Sequence, residues 1–330
     1  MPVQLRIAMR DWDFLTPILL GDVSDERFDL TLMRVASLPG NPSGVEGVDG
    51  AEVSLSRFVQ QKIAGHGDDI GIANFPMRAF RHRCIITCKT HTARSLTDLK
   101  GGRIGVTGWQ DSGNTWTRHA LLDAGVRLED VRWFAGRLTA NHPSVDRLGP
   151  FAQPGWIEAI DGDVPMLELL RSGTLDAVFT PFMPEGFFGP DSEFRPVLDD
   201  IPAAEAAYFD TYGFVPGIHA MALASEVVAR HAWLPEALSD LLDRAWALWS
   251  AKRLRYSETS PWLFDEQLRV GRLLPEGWNR SGVEENRAMI DAFVDTAYRQ
   301  KLIPKRVAAD DIFSPEIKRA ELQNYEEDNA

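Results

Sequence analysis

Three arginines and a histidine lie together directly after a predicted strand. The strand is DIGIANF (69–75), and the cluster consists of Arg78, Arg81, His82 and Arg83. Ligands of open parallel sheets bind beyond the carboxyl ends of the strands, and guanidinium groups match carboxylates with two parallel hydrogen bonds. The sequence therefore predicts that Arg78, Arg81 and His82 face a small organic acid. Arg83 is expected to point away from it or to form a surface ion pair.

A strand-to-helix turn is the second candidate for anion binding. The segment GWQDSGNTWTRHAL (108–121) opens a helix, whose first N–H groups and positive dipole end attract anions. The side chains that we expect to line this turn are Thr107, Trp109, Thr115 and Arg118. In the plainer interpretation, Ser112 or Asn114 caps the helix and Trp116 packs in the core.

Two further candidates lie far apart in the sequence. Trp12 and Asp13 follow the first predicted strand, and an indole ring there can stack on an aromatic ligand. His219 lies in the apolar run GFVPGIHAMAL, with Tyr212 close by. A single histidine in an apolar run is usually a core residue, but the chain is expected to return to its first lobe here. Both interpretations of His219 stay open, and Tyr212 is expected to bind substrate.

The segment AEVSLSRFVQQKIAG (51–65) has helical spacing of its apolar residues. Glu52, Ser54 and Ser56 lie at its start, where capping and the helix dipole explain them without a ligand. A role for Ser54 and Ser56 in substrate binding is the alternative.

A metal site is not predicted from motif spacing. The sequence has neither HExxH nor the Cys and His spacing of a zinc site. Glu52, His82 and His219 are the three side chains that could in principle converge on a divalent ion. We therefore expect no cofactor, with a divalent metal as the open alternative.

The elements that would position these side chains are those of an α/β protein. Strands and helices alternate in the first two thirds of the chain, which is typical of parallel sheets covered by helices. The expected strands are 3–9, 28–35, 69–75, 83–89, 103–108, 131–136 and 175–181. The later chain is mainly helical over 225–256 and 284–302. A chain of 330 residues favours two domains, which we place at 1–95 with 217–330 and at 96–216.

Composition excludes some classes of partner. The formal net charge of −13 argues against nonspecific nucleic-acid binding, which needs a basic surface. No apolar stretch is long enough to span a membrane, and no signal peptide is evident at the start. The only cysteines, Cys84 and Cys88, are spaced too far along one strand to bridge each other. A cytoplasmic protein with a small-molecule ligand is expected, and a homo-oligomer is possible.

Several segments resemble 4,5-dihydroxyphthalate decarboxylase and its relatives. They follow the family order over nearly the whole chain, and FPMRAFRH and VEENR are the most specific. The segments are MRDWDF (9–14), AEVSLSRFV (51–59), FPMRAFRHRCI (75–85), DLKGGRIGVTGWQDSGNTWTRHAL (98–121), LLRSGTLDAVFTP (169–181), YFDTYGFVPGIHAMAL (208–223) and SGVEENRAMIDAFVDTAYRQKLI (281–303). The resemblance implies a two-lobed fold of the type 2 periplasmic-binding-protein kind, with a ligand cleft between two mainly parallel sheets.

The resemblance also implies a reaction, the conversion of 4,5-dihydroxyphthalate to protocatechuate and CO2. For such chemistry His82 is the expected proton donor and His219 the expected partner of the phenol group, because the reference pKa of histidine, about 6.5, suits proton transfer. Arginines are expected to hold the carboxylate that stays. The alternatives are a solute-binding protein for an aromatic or sulfonated anion, and another lyase or hydrolase acting on a small organic acid.

Overall fold

The computed structural model describes residues 2–313, and the chain divides into two compact units. Among the described residues, unit 1 comprises 2–78, Gly217–Asp291 and 307–313. Unit 2 comprises Ala79–Pro216 and Ala292–Arg306. Residues 314–330, the end of the predicted first lobe, lie outside the described residues.

The return to the first unit at residue 217 agrees with the prediction, but two other boundaries differ. Unit 2 begins at Ala79 rather than at residue 96, because the strand Ile85–Cys88 pairs with Ala177–Phe179 in the second sheet. Unit 2 also takes Ala292–Arg306, which the prediction assigned to the first lobe. A strand's own sequence does not reveal which sheet it joins.

Eleven strands are present in the described chain, seven of them close to predicted positions. They are β1 Val3–Met9, β2 Phe28–Arg34, β3 Gly50–Ser54, β4 Ile70–Ile72, β5 Ile85–Cys88, β6 Arg103–Val106, β7 Arg132–Ala135, β8 Ile157–Ala159, β9 Ala177–Phe179, β10 Phe194–Pro196 and β11 His219–Leu223.

Ten α-helices accompany these strands within residues 2–313. They are α1 Thr16–Leu19, α2 Leu55–Ala64, α3 Ser112–Asp123, α4 Met166–Arg171, α5 Ile201–Tyr212, α6 Ser225–Arg230, α7 Leu234–Arg255, α8 Leu263–Leu273, α9 Val283–Arg299 and α10 Ala309–Ile312. None of the helices in this part of the chain combines the length and apolar character needed to cross a membrane.

The sheet of unit 1 has the strand order β2-β1-β3-β11-β4. The pairs of β1 with β2 and β3 are parallel, whereas β11 runs antiparallel to both β3 and β4. The predicted mainly parallel sheet is therefore a mixed one. Because β11 runs opposite to β3, its first residue, His219, lies beside the last residue of β3, Ser54.

The sheet of unit 2 has the order β10-β5-β9-β6-β7-β8 and is also mixed. Strands β9, β6, β7 and β8 are parallel to one another. At one side of the sheet, β5 runs antiparallel to β9, and β10 runs antiparallel to β5. Val106 at the end of β6 pairs with Phe179, which in turn pairs with Ile85 at the start of β5. The residues that precede β5 therefore lie at the edge where β6 and β9 end.

The segment 51–65, which was predicted as a helix, is helical only over Leu55–Ala64. Gly50–Ser54 forms β3, and the helix α2 begins at Leu55. Every residue of Gly50–Val53 is buried, because this strand lies in the sheet between β1 and β11. The helical spacing of apolar residues holds for Leu55, Phe58 and Val59, which are buried on one face. Glu52 is consequently a strand residue, not a helix-capping one.

Candidate functional site

In unit 1, a glutamate and a histidine that are far apart in the sequence form a buried pair. Nδ1 of His219 lies 2.5 Å from Oε1 of Glu52, whose side chain is fully buried. The pairing of β3 with β11 sets Met221 opposite Glu52, so His219 is the diagonal neighbour of Glu52 on the same face of the sheet. The register of two strands thus brings the pair together.

The second oxygen of Glu52 is held by two donors from the end of β1. Oε2 accepts hydrogen bonds from the backbone N–H of Arg10 at 2.8 Å and from Nε1 of Trp12 at 2.9 Å. A buried carboxylate with three donors has a fixed orientation and its charge is compensated. The indole N–H of Trp12 therefore helps to fix the carboxylate of Glu52. Contact between Trp12 and the substrate stays a prediction.

This arrangement is suited to proton transfer by His219. A carboxylate that binds Nδ1–H orients the ring and selects the tautomer whose Nε2 accepts a proton. The His219 side chain is only 10% exposed, so a ligand that meets Nε2 would be largely shielded from water. Glu52 was predicted as a residue at a helix start or as a possible metal ligand, and its role as the partner of His219 depends on strand pairing.

Arg78 lies close to His219 at the end of the unit 1 sheet where β11 begins. Its backbone forms an isolated bridge with Gly217, two residues before His219. Its guanidinium lies over the ring of Phe75, 4.8 Å from the centroid, and Nη2 donates to Oδ1 of Asn286. Burial lowers the pKa of Arg78 to about 10, so the side chain remains charged at neutral pH. Nε is buried and has no hydrogen-bond partner among the described residues.

Asn286 from the VEENR segment is a residue that the prediction did not place in the site. Its Nδ2 donates to the carbonyl oxygens of Arg280 and Gly282, while its Oδ1 accepts from Arg78. Near it, Arg287 forms ion pairs with both Glu284 and Asp310. Asn286 therefore connects the start of α9 to Arg78, an interaction that spacing in the sequence could not reveal.

Replacing Asn286 with alanine is expected to lower the free energy of unfolding by about 2–4 kcal/mol, because three hydrogen bonds are lost and buried partners are left unpaired. Chemical denaturation followed by circular dichroism measures this change. Asp291→Ala, an exposed position on the same helix, is the matched control and should change stability little. Equal stabilities of the two variants would contradict the assigned role of Asn286.

The remaining predicted residues of unit 1 have less direct roles. Asp13 is exposed at the start of a 3₁₀ turn, and its carbonyl oxygen accepts from the hydroxyl of Thr16. Ser54 pairs with His219 in the sheet, so both residues lie at the same end of β3 and β11. Ser56 is buried in α2 and its hydroxyl accepts from Nε2 of Gln60. Substrate binding by Asp13, Ser54 and Ser56 stays a prediction.

In unit 2, Arg81 lies against the first turn of α3. A Cβ atom on Gly113 would be 2.7 Å from Nη2 of Arg81, so the absence of a side chain at Gly113 lets the guanidinium approach the helix. Arg81 is 3% exposed, and burial lowers its pKa. Nε and Nη2 have no hydrogen-bond partner in the described part of the chain. Unpaired buried donors beside a helix N-terminus are suited to an anion.

His82 is buried next to Arg81 and contacts an aromatic cluster. Its ring meets the ring of Tyr208 edge-on, with centroids 5.4 Å apart. Burial lowers the pKa of His82, and its Nδ1 has no hydrogen-bond partner within residues 2–313. The hydroxyl of Tyr208 lies 2.9 Å from Nδ1 of His119, and burial lowers the pKa of His119 to about 4. Tyr208 and His119 were not predicted, because only the fold places α5 beside α3.

Tyr212 belongs to the same cluster. Its ring lies 4.5 Å from that of Tyr208, and its hydroxyl donates to a carboxylate oxygen of Asp123 at 2.7 Å. Burial and this acceptor raise the pKa of Tyr212 to about 12, so the phenol is protonated at neutral pH. The predicted contact of Tyr212 with substrate stays a prediction.

The four residues predicted to line the turn before α3 have structural contacts within unit 2. Arg118 is fully buried over the ring of Trp109, and it donates to Oε1 of Gln300 and to the carbonyl oxygen of Trp109. Thr115 donates to the carbonyl oxygen of Asp111 within the helix. Thr107 accepts from Nδ2 of Asn114. These contacts hold the turn in shape. Substrate binding by Arg118, Trp109, Thr115 and Thr107 stays a prediction.

Three predictions for neighbouring residues can be compared with the structure directly. Arg83 is exposed and forms a two-pronged ion pair with Glu205, as expected for a residue that points away. The N-cap of α3 is Asp111, one residue before the predicted Ser112. Trp116 is 1% exposed in contact with Phe293 and Phe214, which confirms it as a core residue.

The three possible metal ligands do not all belong to one unit. Glu52 and His219 are paired in unit 1, whereas His82 belongs to unit 2. No group of three or more His, Cys, Asp or Glu side chains suited to a metal ion is found in the described chain. The use of a divalent metal therefore remains untested.

Comparison with known proteins supports the resemblance read from the motifs. The chain is 26% identical to the 4,5-dihydroxyphthalate decarboxylase of Comamonas testosteroni over 324 residues, which cover 95% of this chain and 97% of that protein. It is 35% identical to the Pseudomonas putida protein of the same name over 144 residues, which cover 42% of this chain and 54% of that protein. No family model matches the chain.

Solved structures confirm the periplasmic-binding-protein-like fold. The aliphatic sulphonate binding protein SsuA from Escherichia coli has a TM-score of 0.56 at 14% identity, covering 96% of this chain and 97% of that one. SsuA from Xanthomonas axonopodis pv. citri bound to MOPS has a TM-score of 0.53 at 14% identity, covering 94% and 98%. A variant of the desulfurization enzyme DSZB in complex with biphenyl-2-sulfinic acid has a TM-score of 0.53 at 16% identity, covering 98% and 100%.

Proposed function

We propose that this chain is a decarboxylase of a hydroxylated aromatic dicarboxylic acid, with 4,5-dihydroxyphthalate as the first candidate substrate. The observation that carries the proposal is the similarity to a 4,5-dihydroxyphthalate decarboxylase over 95% of the chain. The buried pair of Glu52 and His219 supports it, because it provides the acid–base group that the reaction needs.

The reaction begins at the phenol group para to the carboxylate that leaves. Nε2 of His219 accepts the phenolic proton, while Glu52 stabilises the positive charge that develops on the imidazole ring. The phenolate oxygen then donates electron density into the ring. This density raises the basicity of the carbon that bears the departing carboxylate.

The second step is protonation of that carbon by His82. The new C–H bond forms as the ring loses aromaticity, and the C–C bond to the carboxylate then breaks. CO2 leaves as a neutral molecule, its bonding electron pair returns to the ring, and the phenol regains its proton. The net reaction consumes one proton and forms one molecule of CO2 and one of the dihydroxybenzoic acid.

Arg78 and Arg81 are assigned to the carboxylate that stays. An arginine paired with the departing carboxylate would stabilise the ground state and oppose the loss of neutral CO2. Both guanidinium groups have buried donors without a hydrogen-bond partner among the described residues, which an anionic ligand would satisfy. A second anionic group on the substrate would give these donors their acceptor.

The assay that tests this function incubates the protein with 4,5-dihydroxyphthalate and measures CO2 and protocatechuate, with and without EDTA. We expect stoichiometric formation of both products, with no loss of rate in EDTA. Inhibition by EDTA that zinc or manganese reverses would show that a metal takes part. Tight binding without turnover would favour a solute-binding protein, and neither binding nor turnover would require a different acid.

A further inference from the structure

Arg81 in unit 2 presents one edge of its guanidinium group without an acceptor. Nε and Nη2 are both buried and have no hydrogen-bond partner among the described residues, and the residue is only 3% exposed. These two nitrogens form one edge of the guanidinium plane, and each directs an N–H bond outward from that edge. Two parallel donors match the two oxygens of one carboxylate.

Arg83, two residues further along the chain, shows what such an edge binds. Its Nε donates to Oε1 of Glu205 at 2.9 Å, and its Nη2 donates to Oε2 of the same carboxylate at 2.6 Å. In unit 1, Arg27 holds Asp25 with the same two nitrogens. The Nε–Nη2 edge of Arg81 therefore has the chemistry of a carboxylate subsite.

The described part of unit 2 does not supply this carboxylate. Burial lowers the pKa of Arg81, and Asp111, the N-cap of α3, acts against this shift without bonding to Nε or Nη2. Glu205 is bound to Arg83 instead. Buried donors without an acceptor are costly, so a carboxylate of the ligand is the partner that fits.

Gly113 determines how Arg81 lies against α3. A Cβ atom on Gly113 would be 2.7 Å from Nη2, 3.1 Å from Cζ and 3.4 Å from Nε of Arg81. Cζ is closer than Nε, whereas an atom in the guanidinium plane in front of the Nε–Nη2 edge would be farther from Cζ than from both nitrogens. Gly113 therefore lies against the face of the guanidinium group and does not cover its edge.

We propose that Gly113 is a positioning residue, which keeps the Nε–Nη2 edge of Arg81 available to the substrate carboxylate that stays. A side chain at position 113 would displace the guanidinium, because 2.7 Å is well inside the usual contact distance of two heavy atoms. Recognition of a carboxylate, rather than of a group with a single acceptor, thus depends on Gly113 as well as on Arg81. The inference rests on the proposed function for the identity of the ligand.

Gly113→Ala tests the proposal, because alanine adds only the Cβ atom. Alanine has the better helix propensity, and the atom it meets is the end of a flexible side chain, so the melting temperature should stay near that of the wild type. Isothermal titration calorimetry with phthalate, which carries both carboxylates but no phenol, should give a Kd about 10–100-fold higher. For 4,5-dihydroxyphthalate, KM should rise by a similar factor, while kcat changes less than about threefold.

Gly271→Ala is the matched control. Gly271 is a helical residue of α8 in unit 1, and its added Cβ atom would meet nothing within 4 Å. This variant should leave both the Kd for phthalate and the KM unchanged. Arg81→Lys tests the edge itself, because lysine loses the paired donors, and it should raise the Kd by at least about tenfold. Adding Gly113→Ala to Arg81→Lys should change the Kd less than about twofold, since Gly113 acts through Arg81.

The outcomes separate this inference from the proposed function. A wild-type chain without turnover, whose binding of phthalate weakens in Gly113→Ala, would support the inference and reject the decarboxylase. Turnover by the wild type, with unchanged Kd and KM in Gly113→Ala, would overturn the inference alone. Independent, additive effects in the double variant would also overturn it, as would a wild-type chain that does not bind phthalate.

Discussion

Replacing His82 with glutamine is expected to lower kcat for 4,5-dihydroxyphthalate by about 10²–10⁴-fold, the usual contribution of a positioned general acid. Glutamine approximates the length and polarity of histidine but cannot donate a proton to carbon. The KM should change much less, because the assigned carboxylate contacts are made by Arg78 and Arg81. Steady-state rates of CO2 release measure both constants.

His66→Gln is the matched control for this variant, because His66 is an exposed histidine in a loop of unit 1. It should retain the wild-type kcat. A His82→Gln enzyme with wild-type turnover would remove His82 from the chemistry, and the proton donor would have to be sought elsewhere. Retained circular dichroism is needed in both cases, since His82 also packs against Tyr208.

The same assignment predicts how the rate depends on pH. Burial lowers the pKa of His82 below the usual value of about 6.5. An acid must be protonated to act, so kcat/KM should fall as the pH rises through this pKa, on the acidic side of neutrality. The residual activity of His82→Gln should not show this fall in kcat/KM with rising pH.

Replacing Glu52 with glutamine is expected to have the second large effect, a fall in kcat of about 10²–10⁴-fold, as for other histidines that lose their carboxylate. The amide cannot stabilise a charged imidazole, and it has only one accepting oxygen, so either His219 or the pair of donors from Arg10 and Trp12 loses its acceptor. The free energy of unfolding should fall by about 2–4 kcal/mol, because Arg10, Trp12 and His219 lose a charged partner. Kinetics and chemical denaturation measure the two effects separately.

Glu46→Gln serves as the control, since Glu46 is an exposed carboxylate in the loop before β3. It should change neither kcat nor stability. If Glu52→Gln lost stability but kept its turnover, Glu52 would be a structural residue and the phenolic proton would need another acceptor. Raising the assay pH should not rescue Glu52→Gln if orientation of the His219 ring is what is lost.

The local pattern of the sequence determined the class of fold and the residue types of the candidate site. Val3–Met9 forms a strand where it was expected, and its first five residues alternate in burial as they alternate in polarity. The cluster of Arg78, Arg81 and His82 directly after DIGIANF is likewise visible in the sequence, and its contact with a substrate stays a prediction. Such features depend on neighbours in the chain, so periodicity and residue chemistry are sufficient to predict them.

Tertiary structure decided which of these residues are partners. Glu52 and His219 are 167 residues apart, and Arg78 and Asn286 are 208 apart, so only the strand register and the position of α9 join them. The helical pattern at 51–65 was overridden at its start, because Gly50–Ser54 gains hydrogen bonds and burial between β1 and β11. Contacts between distant segments are set by the packing of the whole sheet, and no local pattern encodes them.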